Sequence, residues 1–147
     1  MVNNVYHSKL LELAGNIPRI GRLDAPDATA SAHAKLCGSK LTLDVKVDAN
    51  GAITDFAQEV KACALGQAAA SAVASDVIGA DLVDVREAHD AMTAMLKNDG
   101  PTPEGRFEAL GALEAVREYP ARHASTMLVL DALVDALEQV AHARSAA

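Results

Sequence analysis

Residues 28–63 read ATASAHAKLCGSKLTLDVKVDANGAITDFAQEVKAC, and this stretch decides the fold. Ala28, Ala30, Ala32, Ala34 and Leu36 alternate with Thr29, Ser31, His33 and Lys35, the period of two expected of a half-buried strand. Cys37-Gly38-Ser39 reads as a tight turn. Leu41, Leu43, Val45 and Val47 then alternate with Thr42, Asp44 and Lys46, which predicts a second strand. Asp48-Ala49-Asn50-Gly51 carries a strong hairpin signal, and a third strand is expected from about Ala52 to Lys61. Three strands joined this way make an antiparallel meander, with one face on a core and the other polar.

Outside this stretch the period changes. Val2, Tyr6, Leu10 and Leu13 show helical spacing over residues 2–14, closed by Gly15-Asn16 and Pro18. The loop through Pro18, Gly21 and Pro26 carries Arg19 and Arg22 and reads as exposed. An Ala/Ser-rich helix runs from Ala64 to Ile78 and Gly79 stops it. Asp81 caps the next helix, with Asp84 in its first turn and Leu82, Val85, Met92 and Met95 on its buried face. Residues 98–103 form a loop. Phe107 to Arg117 reads as a short helix softened by Gly111. Pro120 opens the last helix, with Met127, Leu130, Val134, Leu137 and Ala141 on one stripe. The expected class is α+β: a three-stranded antiparallel meander packed against about five helices, in one domain spanning 1–147.

The 147 residues suit a single core, and half of them are hydrophobic. A formal net charge of −7 and a pI near 5.1 argue against nucleic acid or an anionic membrane as partner. No apolar run reaches the roughly 18 residues of a membrane span, and the N-terminus shows no basic region or apolar signal segment. The expected compartment is the cytoplasm, where both cysteines, Cys37 and Cys63, would be thiols.

Cys37 falls in the turn between the first two strands, followed by Gly38, whose backbone lets another group approach. Cys63 falls where the third strand meets a helix, and the positive end of the helix dipole, with Lys61 nearby, favours its thiolate. The meander brings both to one end of the sheet. Thiolates bind soft metals and attack sulfur, although two small buried hydrophobes are the plainer use of two cysteines.

Leu36 to Val47 with Gly51 to Asp55, and Lys61 to Ser71, resemble the first and second cysteine blocks of the iron–sulfur cluster assembly scaffolds of the IscU/SufU/NifU N-terminal type. Glu104 to Phe107, Tyr119 to Arg122 and Met127-Leu128 resemble the third block in its SufU-like form, and Asn16 to Gly21 the N-terminal loop. The resemblance implies assembly of a [2Fe–2S] cluster, or binding of iron or zinc, on three cysteines and an aspartate. It implies sulfur taken from a cysteine desulfurase and a cluster passed to recipient apoproteins. Cys37 and Cys63 match two of those ligands. Ser39 stands where the family has its aspartate, and Ser125 where it has its third cysteine. The chaperone-recognition stretch of the IscU branch is replaced by Tyr119-Pro120-Ala121-Arg122-His123.

A hydroxyl is a poor ligand for soft sites, so other donors are candidates. His123, two residues before Ser125, is the first candidate for the metal, set against a core histidine on the stripe of Met127 and Leu130. His33 reads as a solvated strand residue, and Asp44 as too far from the turn. His7, His89 and His142 read as surface residues, Met92 and Met95 as core, and the acidic face of Asp131, Asp135 and Glu138 as solvated. A homodimer sharing one cluster would offer four thiols. Spacing gives no Cys–His–Asp constellation, so no enzyme is expected. The expected function is a cluster scaffold or carrier and, alternatively, a sulfur acceptor or desulfurase-binding regulator without a cluster.

Overall fold

The computed structural model describes residues 7–36 and 38–146. Cys37, Val2 and Tyr6 lie outside the described residues. The sheet consists of β1 (Ala28–Ala34), β2 (Ser39–Val47) and β3 (Ile53–Lys61), antiparallel in the order β1-β2-β3. This is the expected meander. Leu41, Leu43, Val45 and Phe56 of its inner face are buried, together with Ala28 and Ala30. The β2–β3 hairpin closes as its sequence predicts. Gly51 N donates to Asp48 O at 3.0 Å, and Asp48 Oδ1 accepts from the backbone of Asn50 and Ala52.

The first strand is shorter than expected. It ends at Ala34, which pairs with Ser39, so the connection to β2 begins at Lys35. Leu36, expected on the inner side, is instead 84% exposed.

The described helices are α1 (Ser8–Gly15), α2 (Ala64–Ser75), α3 (Leu82–Lys97) and α4 (His123–Ala146), with a long 3₁₀ segment at Gly105–Glu118. His7 is not a bare surface residue. Its Nδ1 accepts from Leu10 N at 3.2 Å and caps α1, so Nε2 carries the proton and donates to Ala112 O at 2.9 Å. Helix α2 ends at Ser75, before the expected Ile78. Asp81 and Asp84 form a reciprocal capping box at the start of α3.

The 3₁₀ segment stands where an ordinary helix was expected. Its buried residues, Phe107, Leu110, Leu113 and Val116, recur every third position. Three residues per turn place Leu110, Leu113 and Val116 on one face, and Phe107 stands at a kink (φ −104°, ψ 31°) in the same segment. Pro120 opens a further short 3₁₀ turn, and α4 starts only at His123.

Helix α4 lies against β1, β2, α2 and α3. Enclosure on so many sides buries every residue from Ser125 to Leu130, a wider surface than one stripe. At its far end Ala141 is exposed, not part of the buried face. The acidic face of α4 is partly tied down: Asp131 lies 2.7 Å from His89 Nε2, and Glu138 accepts from Arg86 at 2.6 Å. His89 therefore has a partner on α4. Among the described residues no helix is long and apolar enough to cross a membrane.

The loop ahead of β1 is pinned to the sheet. Gly21 N donates to Gln58 O and Gln58 N to Arg19 O, at 2.8 and 2.9 Å, which covers the free edge of β3. Asp44, on the outer face of β2, is fully buried beneath this loop and accepts from Arg22 Nε, Arg22 Nη2, Leu23 N and the Thr29 hydroxyl. The Arg22 guanidinium holds the Asp44 carboxyl down to about 2, helped by Thr29 and Leu23 and opposed by burial.

Candidate functional site

Cys63 is the residue at which β3 gives way to α2. Its backbone is extended (φ −65°, ψ 170°) and its carbonyl accepts the first helical bond, from Gln67 N at 2.9 Å. Its side chain caps no backbone group of the helix, so the half-buried thiol points elsewhere, to Ser125 Oγ at 3.3 Å. Ser125 sits in the first turn of α4 and is 1% exposed. Its hydroxyl also lies 3.3 Å from Ser39 Oγ, and Ser39, the first residue of β2, is 3% exposed. One rim thus gathers a thiol and two hydroxyls from three different elements.

Gly66 makes the gathering possible. A Cβ there would stand 2.6 Å from Ser125 Oγ, 2.8 Å from Ala62 Cβ and 3.1 Å from Ser125 O. Only a residue without a side chain lets the first turn of α2 approach α4 so closely. Sequence reading passed over Gly66 as one more small residue. The available signal was a glycine inside a run of alanines, where helix propensity alone favours alanine.

Chemically the rim is soft at one point and hard at two. The first turn of α2 contains no acidic residue, so its dipole and unsatisfied N–H groups face the Cys63 side without a competing carboxylate. The thiolate of Cys63 suits iron, zinc or a sulfur electrophile. Ser39 and Ser125 are neutral donors and acceptors that can hydrogen-bond sulfur but ligate soft metals poorly. Of these three donors only Cys63 is a soft ligand. Cys37 precedes Ser39 by two positions in the chain and lies outside the described residues. Among the described residues no group of three or more His, Cys, Asp and Glu side chains is placed to hold a metal ion.

The other sequence candidates lie apart from this rim. His123 is buried, and its Nε2 sits 3.1 Å from both Val116 O and Arg117 O, where it secures the end of the 3₁₀ segment. Two helical positions correspond to a rotation of about 200°, so His123 is turned away from Ser125 and lines a cleft with His89, Lys97 and Met127. His33 is exposed on the outer face of β1. Among the described residues the Asp44 carboxylate accepts from Arg22, Leu23 and Thr29. Met92 and Met95 are fully buried in the core, as expected.

Fold and rim together define a small α+β protein that carries a thiol at a helix N-terminus against the end of a β-meander. The chain belongs to the NifU-like N-terminal domain family, whose model matches residues 5–126. It is 27% identical over 138 residues to the iron–sulfur cluster assembly scaffold protein IscU of Thermotoga maritima, covering 92% of this chain and 94% of that protein. Among solved structures it is similar to a nitrogen-fixing NifU-like protein (N-terminal) from Brucella abortus, at 52% identity and a TM-score of 0.92, covering 95% of this chain and 96% of that one. A protein assigned as the SUF-system cluster assembly scaffold of Fervidobacterium islandicum shares the fold at 20% identity and a TM-score of 0.83, covering 93% and 99%. The family and the fold class read from the two cysteine blocks are thereby borne out.

Proposed function

We propose that this chain is a non-enzymatic scaffold or carrier in iron–sulfur cluster assembly. It receives iron and sulfur, or a [2Fe–2S] cluster, at Cys63 and Cys37, with zinc as an alternative occupant, and passes the cargo to recipient apoproteins in the cytoplasm. Its sulfur comes from a cysteine desulfurase. The observation that carries this reading is Cys63 at the N-terminus of α2, its thiol unused by the helix and 3.3 Å from Ser125 Oγ, in a chain of the NifU-like N-terminal domain family. The contacts of His123 with Val116 O and Arg117 O favour a homodimer pooling four thiols over His123 as the route to further ligation.

Anaerobic incubation with iron and sulfide should produce iron–sulfur absorption and a larger species on gel filtration. Cys37→Ser and Cys63→Ser should each abolish the colour. A protein that stays colourless refutes cluster binding, and elemental analysis of the purified chain separates zinc from iron.

A second reading is favoured by the hydroxyls of Ser39 and Ser125 beside one described thiol. Accepting sulfur needs a single thiolate. The Cys63 thiolate attacks the outer sulfur of a desulfurase persulfide, a new S–S bond forms on Cys63, and the desulfurase thiolate leaves with the electron pair of the broken bond. No external oxidant is consumed. Mass spectrometry should then show one added sulfur on Cys63, and its absence ends this reading.

A further inference from the structure

Between α1 and β1 the chain crosses the sheet as a strap, residues 19–23, and the ties that hold it are polar. Gly21 N donates to Gln58 O at 2.8 Å and Gln58 N to Arg19 O at 2.9 Å, along the edge of β3. Arg22 Nε donates to Asp44 Oδ2 at 2.7 Å, Arg22 Nη2 to Asp44 Oδ1 at 3.0 Å, and Leu23 N to Asp44 Oδ2 at 2.9 Å. Of these hydrogen bonds the last three all end on one carboxylate. None of the strap residues is buried, and Ile20 is 59% exposed, whereas Asp44 beneath them is fully buried.

Three observations make the strap the weak unit of the fold. Arg19 has φ 61°, the left-handed region in which a residue with a Cβ is strained. With no apolar side chain buried, the strap gains little hydrophobic free energy by closing. Lifting it uncovers a carboxylate and main-chain N–H and C=O groups, all of which water solvates well. Against these stand the bonds to ionised Asp44, which are stronger than bonds between neutral groups.

We propose that residues 19–23 open and close as a unit while the rest of the fold stays intact, with Asp44 as the latch. Opening bares the main chain of Gln58 on the edge of β3, the strand that runs into Cys63. The same residue reaches the other way: its Nε2 donates to Ala70 O at 3.2 Å, inside the helix that Cys63 opens. The strap therefore bears on the one buried residue that ties β3 to the middle of α2, whichever cargo the rim carries.

Native-state hydrogen exchange of the complete chain, resolved by NMR at urea concentrations below the unfolding transition, tests this. The amides of Gly21, Leu23 and Gln58 should be protected, yet exchange at least about a hundredfold faster than those of Leu128 to Leu133 in α4. Their exchange should depend little on urea, because opening exposes little surface. Val129→Ala, in the core, should speed the α4 amides about tenfold and leave the strap amides unchanged. Asp44→Asn should speed the strap amides at least about tenfold, and Arg22→Gln should act in the same direction. The proposal is overturned if the strap amides follow the urea dependence of α4 or if Val129→Ala speeds both sets alike, since the strap then opens only with the whole fold. It is equally overturned if Asp44→Asn leaves the strap amides unchanged, or if those amides exchange as fast in the parent as in an unstructured peptide.

Discussion

Alanine at position 66 tests whether the approach of α2 to α4 organises the rim. The new Cβ would meet Ser125 Oγ at 2.6 Å, Ala62 Cβ at 2.8 Å and Ser125 O at 3.1 Å. The hydroxyl can rotate away, but only by leaving Ser39 and Cys63, each 3.3 Å from it. The Ser125 carbonyl is fixed to backbone and yields only if α2 and α4 separate, and Ala62 Cβ, four residues back in the chain, yields only if the entry to α2 shifts. Overpacking of this kind costs about 1–3 kcal/mol. Alanine returns at most about 1 kcal/mol through its helix propensity. The expected result for Gly66→Ala is therefore a net loss of about 1–2 kcal/mol, read as a lower urea midpoint at unchanged slope. In a Ser125→Ala background the contact at 2.6 Å disappears while the other two remain, so the penalty should shrink by about 0.5–1 kcal/mol, a coupling resolved by the double-mutant cycle. If Gly66→Ala is neutral or stabilising, or if the two substitutions are additive, the helices are not held by this contact and the reasoning about the rim fails.

Asp44 titrates in the fold at about 2, below its ordinary 3.8. A depressed carboxyl stabilises the fold above its unfolded value and loses that contribution as pH falls through its folded value. Compared with Asp44→Asn, the native chain should therefore be more stable by about 1–2 kcal/mol near pH 6, after discounting for solvent around the half-exposed Arg22, and the difference should vanish as pH falls from about 4 to 2. Urea unfolding at several pH values measures it. Ser125→Cys places a third thiol within contact of Cys63 and should tighten zinc binding by at least about tenfold in a chelator competition. Asp81→Ala removes the acceptor for Asp84 N and one half of the capping box, and should lower stability by about 1 kcal/mol in the same unfolding assay.

Much of the architecture was open to inspection in one dimension because its signals are local. Alternation through residues 28–34 and 41–47 and the Asn50-Gly51 hairpin depend on neighbours two to four residues apart; the strands and hairpin form as expected, with Asp44 the buried exception on the outer face. The 3₁₀ segment is equally legible: Leu110, Leu113 and Val116 repeat by three, and only a 3₁₀ turn keeps that repeat on one face, whereas the kink at Phe107 has no such local mark. Leu36 was misplaced for a different reason. Alternation continues through it in the sequence, but strand pairing stops at Ala34 opposite Ser39, and a partner's length is not written in a strand's own residues.

For the candidate site the division is sharper. The family, the identity of Cys37 and Cys63, and the hydroxyls at positions 39 and 125 are legible in one dimension, because they are facts of residue type and spacing. Cys63 at a helix start followed from the change of period after Lys61. That Ser39, Cys63 and Ser125 share one rim follows from packing alone, since the contacts join residues 62 and 86 positions apart. Packing likewise decides that His123 serves Val116 and Arg117, because the direction of a helical side chain is set by where the neighbouring elements pack. It also turned Asp44 from a strand residue on a polar face into a buried anchor for Arg22, through a loop whose path across the sheet no local pattern encodes.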